Sequence, residues 1–355
     1  MTNISGPAPD PTAATDWPAQ DLEAVPHCPF CGAAERSLRF ADAQDWTFGC
    51  APGRWQYWQC GACAALYLDP RPTPASIGRA YAAYYTHAPA RSSAWVERAK
   101  TLLRHACYLA WYDLLLEPRL PLPRFAYPLL APLRRRMAEP FILRALNRLP
   151  RGRVVDVGCG NGGCLVAARQ LGWQALGIEI DAQAVAAACA AGLAVEQGDY
   201  RRLDDHEGAF DCLICSHVIE HVHQPLELLR ALARALKPGG TALISLPNAS
   251  SAVLEACGVN WRGLEAPRHL AIPTAAALTE RLFKLGFELR GAPLAPVVTL
   301  SQSLDIARRR GVAAAEIERM RAAGLARSAV ADTNSSDFTN LELQKVAAGA
   351  PPVTQ

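Results

Sequence analysis

The sequence predicts an α/β protein with a doubly wound, mostly parallel sheet, and three observations support this fold class. From residue 153 onward, short β-branched segments alternate with helical segments. The first of these segments, VVDV, runs directly into the glycine-rich turn GCGNGG. About half of the 355 residues are hydrophobic (50%), which is enough to bury a large core.

The order of the elements follows from periodicity and from the residues that end each segment. In the first half of the sheet we expect strand 153–157, helix 163–171, strand 175–180, helix 182–191 and strand 193–197. In the second half we expect strand 210–215, helix 224–236, strand 241–246, helix 274–285 and strand 287–291. Gly192, Pro238 and Gly286 each follow a helix, where glycine and proline end helical structure.

The glycine-rich turn predicts a nucleoside-cofactor site. Gly158, Gly160 and Gly163 satisfy G-x-G-x-x-G, and Glu179 follows 21 positions after Gly158, as a ribose-binding acid does in dinucleotide folds. Asp156 at the strand end argues against a dinucleotide, because its carboxylate would repel a pyrophosphate at the helix N-terminus. A cationic ligand such as S-adenosylmethionine fits this acid better.

Polar residues follow the carboxyl ends of four consecutive predicted strands, where ligands bind in open α/β sheets. These are the glycine turn, Glu179 with Asp181, the Gly-Asp-Tyr of 198–200, and the Ser-His-Val-Ile-Glu-His of 216–221. Together they resemble the class I S-adenosylmethionine-dependent methyltransferases over residues 151–290. The resemblance implies a seven-stranded, Rossmann-like sheet that binds S-adenosyl-L-methionine.

The resemblance also assigns roles to the acids around the cofactor. Gly158 and Gly160 let the backbone approach the methionine part, and Asp156 lies near its ammonium group. Glu179 accepts from both ribose hydroxyls, as an ionised carboxylate can. For Asp181, a helix cap is an equally good interpretation.

The adenine and methionine ends of the site are assigned in the same way. Asp199 accepts from the adenine amine, although a turn aspartate after Gly198 is the structural alternative. Tyr200 stacks on or covers the ring. Ser216 lies where the family's backbone contacts the methionine end of the cofactor.

Three candidates for catalysis remain: His269, His221 and Arg268. We expect the segment after the fifth strand to present Arg268 and His269 to the acceptor, with His269 as base. Related quinone-biosynthesis O-methyltransferases have two acids and a histidine in the fourth-strand segment and use a divalent ion. Here His217 replaces the first acid, which makes a metal ion less expected there. Glu220 and His221 have the structural alternative of fixing the loop.

Cys28, Cys31, Cys60 and Cys63 form two C-x-x-C pairs and predict a zinc ribbon. Four thiolates suit tetrahedral Zn²⁺, and a module this small needs a metal for stability. A ribbon before such a core resembles bacterial enzymes that methylate glycans, lipid-linked intermediates or small metabolites.

These observations divide the chain into five parts. We expect a disordered tail at 1–24, the zinc ribbon at 25–75, a helical cap or substrate-binding region at 76–150, the methyltransferase core at 151–303, and a C-terminal helix with a flexible tail at 304–355. The first residues lack a secretion signal, and no 18-residue apolar run is present, so a cytoplasmic location is expected.

The charge distribution leaves alternatives for the acceptor. The net charge is +3, whereas residues 91–153 hold thirteen Lys and Arg against four Asp and Glu. We expect methyl transfer to a small-molecule, glycan or lipid-linked acceptor, with oxygen favoured. An RNA acceptor is the rival, although 216–221 lacks the Asn/Asp-Pro-Pro-aromatic pattern used on base amines. The basic, leucine-rich segment 95–136 is a candidate for peripheral contact with the inner membrane face. The oligomeric state stays open.

Overall fold

The computed structural model describes residues 17–81, 94–120, 122–130, 133, 140–295 and 297–346. Backbone contacts divide the chain into two compact units. The first unit comprises Met1–Tyr85, Ser216–Arg230 and Ile244–Leu341, and the second comprises Thr86–Cys215, Ala231–Leu243 and Glu342–Gln355.

The strands of the described residues are, in chain order, β1 (Leu22–Glu23), β2 (Arg36–Ala43), β3 (Trp55–Cys60), β4 (Leu66–Leu68), β5 (Arg71–Pro72), β6 (Arg153–Val157), β7 (Gln174–Glu179), β8 (Ala194–Gln197), β9 (Phe210–Ser216), β10 (Leu236–Pro247), β11 (Ala271–Ile272), β12 (Phe287–Gly291) and β13 (Phe338–Lys345). The α-helices are α1 (Ala94–Tyr112), α2 (Phe141–Arg148), α3 (Gly163–Gln170), α4 (Ala182–Ala190), α5 (Pro225–Ala235), α6 (Ala252–Cys257), α7 (Ala275–Lys284), α8 (Leu300–Arg309) and α9 (Ala314–Ala329).

A seven-stranded sheet has the order β12-β13-β10-β9-β6-β7-β8. β6 pairs in parallel with both β7 and β9, and β7 pairs in parallel with β8. The strand order reverses at β6, so chain crossovers leave this strand in both directions. This arrangement confirms the predicted doubly wound α/β fold, and the predicted strands from 153 to 215 agree with the structure to within one residue at each end.

Local sequence explains where the helices of this sheet begin. The carboxylate of Asp181 accepts from the backbone N–H groups of Gln183 and Ala184, so it caps α4, which was the structural alternative for this acid. The hydroxyl of Thr274 accepts from Ala277 N–H and caps α7 in the same way.

The first unit contains a second sheet, of four strands, in the order β11-β4-β3-β2. β11 pairs antiparallel with β4, so residues far along the chain complete the sheet of the cysteine-rich region. Large buried side chains of this unit, including Tyr57, Leu68 and Trp261, belong to one hydrophobic cluster. The predicted boundaries of the five parts of the chain stay predictions, but this sheet is not built from 25–75 alone.

Two expected terminal tails need correction. Residues 17–24 are ordered: Trp17 is buried and packs edge to face on Trp55 with ring centroids 5.4 Å apart, and β1 pairs with β5. Residues 1–16 of the expected tail lie outside the described residues. The expectation of one helix and a flexible tail at 304–355 is wrong up to residue 346, because α8 and α9 precede β13, which lies inside the seven-stranded sheet.

The described part of 76–150 contains helical segments, and its role as a cap or substrate-binding region stays a prediction. It contains α1, a 3₁₀ helix at Arg124–Leu130, and α2. Of the segment 95–136, residues 121, 131, 132 and 134–136 lie outside the described residues. Within the described residues, every helix is too short or too polar to cross a bilayer.

Candidate active site

The glycine turn lies between β6 and α3. Gly158 and Gly160 have φ values of +73° and +54°, a left-handed conformation that glycine adopts without a steric penalty. A Cβ added at Gly160 would meet no atom within 4 Å. The backbone at this position is therefore open to a ligand.

Glu179 at the end of β7 holds this turn. Its Oε2 accepts from Gly160 N–H at 2.8 Å, and its Oε1 accepts from Asp181 N–H at 2.9 Å. Each carboxylate oxygen keeps a further lone pair, so the side chain can still accept from ribose hydroxyls.

Asp156 is a buried acid in the same unit, with 4% of its surface exposed. Burial, and then the charge of Glu179, raises the pKa of the Asp156 carboxyl to about 7. Two acids so close together disfavour an anionic ligand and favour a cation, whose charge would restore the ionisation of Asp156. These residues therefore fit the ammonium and sulfonium of S-adenosylmethionine.

The remaining predicted cofactor residues are placed as follows. Asp199 caps the 3₁₀ helix Tyr200–His206 by accepting from Arg201 N–H at 2.9 Å, and it also forms an ion pair with the Arg201 guanidinium at 2.5 Å. Tyr200 is buried, and the Arg201 guanidinium lies 5.2 Å from its ring centroid. Ser216 is the last residue of β9 and is half-buried. Their cofactor contacts stay predictions.

A cluster of histidines and acids occupies the first unit. His217, the residue after β9, has a φ of +56°, and its Nδ1 lies 3.2 Å from Glu220 Oε1. Glu220 is fully buried, and its Oε2 has no hydrogen-bond partner among the described residues. Burial alone would raise the pKa of Glu220, but the His217 hydrogen bond and the nearby His221 hold it below its usual value.

Two histidine rings pack against each other in this cluster. The ring centroids of His221 and His269 lie 4.6 Å apart with an edge-to-face orientation. His221 Nδ1 lies 3.1 Å from the Arg268 carbonyl oxygen and 3.1 Å from the Tyr81 hydroxyl. The structure therefore brings together two of the three residues that we predicted for catalysis. Sequence reasoning missed Tyr81, which lies 140 positions from His221.

His269 is more enclosed than we expected for a base that faces an acceptor. It is 3% exposed, and its Nδ1 lies 2.7 Å from the Gly263 carbonyl oxygen. Burial lowers the pKa of His269 to about 4, even though Glu265 opposes this shift. The ring is therefore neutral at physiological pH.

The placement of Arg268 corrects its expected catalytic role. The side chain is 0% exposed, and its Nη2 and Nη1 lie 2.5 and 3.0 Å from the two oxygens of Asp45. Its Nε donates to Glu265 at 3.1 Å, and Nη1 also donates to the Ala80 carbonyl at 3.0 Å. A guanidinium so fully engaged holds segments of the fold together rather than contacting an acceptor.

The four cysteines of the two C-x-x-C pairs come together. Cys28 Sγ lies 3.6 Å from Cys63 Sγ, and Cys31 Sγ lies 3.4 Å from Cys60 Sγ. All four sulfurs lie within 4.8 Å of one another. Zinc–sulfur bonds of about 2.3 Å in a tetrahedron separate the sulfurs by about 3.8 Å, so this arrangement fits Zn²⁺.

The seven-stranded sheet and the glycine turn after β6 are those expected of a class I S-adenosylmethionine-dependent methyltransferase domain. Residues 130–291 match the family model described as a methyltransferase domain.

Relatives and solved structures are similar over part of the chain. A ubiquinone biosynthesis O-methyltransferase of Xanthomonas campestris is 40% identical over 111 residues, which are 29% of this chain and 46% of the relative. An enzyme of the same name from Methylococcus capsulatus is 35% identical over 118 residues, covering 30% of this chain and 48% of the relative. The chain thus spans about half the length of these relatives. A solved S-adenosylmethionine-dependent methyltransferase from Mesorhizobium loti is 20% identical and covers 57% of this chain and 96% of its own, with a TM-score of 0.40.

Proposed function

We propose that the protein transfers a methyl group from S-adenosylmethionine to an oxygen atom of a small-molecule acceptor. The observation that carries this proposal is the pairing of the buried Asp156 with Glu179, which accepts from Gly160, inside a matched methyltransferase domain. The O-methyltransferase names of the relatives support oxygen as the acceptor atom. When bound, the cofactor supplies a methyl group on a sulfonium.

His221 is the base that contacts the acceptor hydroxyl in this proposal. The Arg268 carbonyl can only accept a hydrogen bond, so His221 Nδ1 carries the proton and Nε2 is the basic nitrogen. His221 is half-buried, whereas His269 is enclosed. In this proposal His269 acts by packing on the His221 ring. His221 is the base and His269 supports it, which reverses the roles expected from the sequence.

Transfer assays test the proposed function. The full-length protein is titrated with S-adenosylhomocysteine by calorimetry and then incubated with labelled S-adenosylmethionine and catechol, glucose or total RNA. We expect saturable binding and label in a small-molecule acceptor. Label in RNA alone would overturn the small-molecule proposal in favour of the RNA alternative, and absence of S-adenosylhomocysteine binding would overturn the methyltransferase proposal itself.

A metal-assisted reaction is the second candidate, because Glu220, His221 and His269 offer ligand atoms that all lie within 4.8 Å of one another. A divalent ion there would lower the pKa of an acceptor hydroxyl in place of a base. Turnover that is lost with EDTA and restored by Mg²⁺ or Mn²⁺ would favour the ion. Turnover that is indifferent to EDTA, with the ribbon zinc retained, would favour the base.

We propose a structural zinc ion at Cys28, Cys31, Cys60 and Cys63. The hydroxyl of Thr274 donates to the Cys63 carbonyl at 3.3 Å, so the residue that caps α7 also contacts the last cysteine of the cluster. A metal at this position would stabilise the four-stranded sheet and take no part in methyl transfer.

Peripheral membrane contact through 95–136 is a further proposal for the cellular location. Trp95, Phe125 and Leu129 are 73%, 85% and 80% exposed, and the segment is basic. Apolar side chains flanked by arginines suit an anionic bilayer surface. Sedimentation with phosphatidylglycerol vesicles tests it: Trp95→Ser combined with Phe125→Ser should abolish binding, and failure of the native protein to sediment would contradict it.

A further inference from the structure

A cavity of about 290 Å³ lies between α7, the end of β12 and residues 333–341, all within the first unit. None of the residues assigned above to the cofactor, the base or the zinc ion lines it. Its walls include the apolar side chains of Phe283, Leu289 and Phe338. Among its described lining residues, Glu280 carries the one charge, and this exposed acid pairs with Lys284 at 2.5 Å.

Asn248 holds two walls of the cavity in place. This fully buried side chain donates through Nδ2 to the carbonyls of Asn334 and Ser336 at 2.7 and 2.9 Å. Its Oδ1 accepts from the first N–H of α7, that of Ala275, at 3.2 Å. One amide therefore ties the start of α7 to the segment before β13.

Asn340 fixes the third wall. Its Oδ1 accepts from the Ser245 hydroxyl at 2.7 Å, and its Nδ2 donates to the Pro293 carbonyl at 3.2 Å. The amides of Asn248 and Asn340 are engaged in these bonds, so they hold the walls of the cavity in place. The accessible wall of the cavity is mostly apolar, although Thr279, Thr333 and Asn334 also line it, and such a wall is typical of a small-molecule site.

The cavity shares a wall with the histidine cluster. Phe338 lines the cavity, and its ring packs edge to face on His217 with centroids 4.9 Å apart. His217 in turn lies 3.2 Å from Glu220, the acid of the cluster that contains His221. The apolar part of a molecule in the cavity would thus lie on one side of the Phe338 ring. The acid–base groups of the protein, His217, Glu220 and His221, would lie on the other side.

We propose that this cavity binds the uncharged, apolar part of the methyl acceptor, a ring or a short alkyl group. The inference rests on the proposed function and narrows its substrate class to amphipathic molecules rather than free sugars. The acceptor hydroxyl then extends past Phe338 toward His221.

Binding of 2-naphthol to the full-length protein, saturated with S-adenosylhomocysteine, tests the proposal by calorimetry. Glucose is the polar comparison. Ala276→Trp and Ala292→Leu introduce larger side chains from two different walls, and each should weaken 2-naphthol binding at least tenfold while S-adenosylhomocysteine still binds. Ala187→Trp places the same bulk on an equally exposed position of α4 and should leave naphthol binding unchanged.

The possible failures are distinguishable. Loss of S-adenosylhomocysteine binding by the native protein would refute the proposed function itself. Normal S-adenosylhomocysteine binding without naphthol binding, glucose binding as tight as that of 2-naphthol, or unchanged naphthol affinity in both wall variants would refute the assignment of the cavity alone.

Discussion

Glu179 joins two neighbouring strand ends, because its carboxylate accepts from the backbone N–H of Gly160 at 2.8 Å. β6 and β7 are paired in parallel, so the acid that ends β7 lies beside the turn that leaves β6. In the proposed cofactor site Glu179 also accepts from the ribose, so its replacement should both loosen the turn and remove an acceptor from the ligand.

We therefore expect Glu179→Gln to weaken S-adenosylhomocysteine binding by at least tenfold, because the amide keeps one acceptor oxygen but loses the charge and the second acceptor. Calorimetry measures this. Asp181→Asn is the matched control, since asparagine caps helices as well as aspartate does and α4 should stay intact. Equal affinity of Glu179→Gln and the native protein would contradict the assignment.

Asp156 should make both stability and cofactor affinity depend on pH. Its pKa of about 7 in the folded protein lies above the ordinary 3.8, so the folded state binds more protons than the unfolded state between these values. The free energy of unfolding should fall as pH rises from 4 to 7, and the total decrease should be at most about 4 kcal/mol.

S-adenosylhomocysteine, whose ammonium favours the ionised acid, should bind more tightly as pH rises over the same range. Asp156→Asn should flatten both curves, measured by urea unfolding and calorimetry; an unchanged slope in this variant would assign the dependence to other groups.

The sheet from β6 to β9 could be predicted from the sequence because its signals are local. β-branched runs, helix caps and the glycines that follow helices determine the ends of each strand and helix to within a few residues. The cap that Asp181 provides for α4 is a direct example. β13 was missed although Leu341 and Leu343 alternate with polar residues, since a single short alternating run after two helices resembles a tail.

The environment of the predicted catalytic residues depends on distant parts of the chain. Arg268 has its principal partner, Asp45, 223 positions away, and His221 meets Tyr81 across 140 positions. No periodicity or spacing reports such pairs. In the sequence, a polar segment such as 267–269 therefore resembles a loop that covers a pocket. In the structure, the arginine of this segment is buried and is part of the core.

Arg268→Ala should destabilise the protein strongly, because it leaves the carboxylates of Asp45 and Glu265 buried with fewer partners. Breaking such a buried ion pair costs about 3–5 kcal/mol. Arg308→Ala is the control: it removes the exposed partner of Asp305 and should change stability by about 0.5 kcal/mol or less. Urea unfolding compares the two variants. If Arg268→Ala folded with native stability, the structural role given to this residue would be wrong.

Substitution of His221 and substitution of His269 should have different effects on kcat. His221→Gln removes the proposed base and should lower kcat at least a hundredfold with S-adenosylhomocysteine affinity retained. His269→Gln should lower kcat less, because the residue acts through the His221 ring, and its neutral state above a pKa of about 4 means that it adds no ionisation to the pH profile near neutrality. His206→Gln, in the other unit, is the control. A larger loss in His269→Gln than in His221→Gln would restore His269 as the base.

Zinc should stabilise the four-stranded sheet of the first unit and take no direct part in methyl transfer. The four sulfurs already lie at the spacing of a tetrahedral site, and Cys28→Ser replaces one thiolate by a poor ligand. Metal analysis should find one zinc per native chain and less than half of that in Cys28→Ser, with a lower melting temperature.

Cys189→Ser, at an exposed cysteine that is not part of the cluster, should keep both the zinc and the melting temperature. S-adenosylhomocysteine binding should survive in Cys28→Ser at a temperature where the variant stays folded, because the four cysteines take no part in the proposed cofactor site. A zinc content that is equal in the native protein and Cys28→Ser would place the ion elsewhere, and absence of zinc from the native protein would leave the thiol cluster without its proposed role.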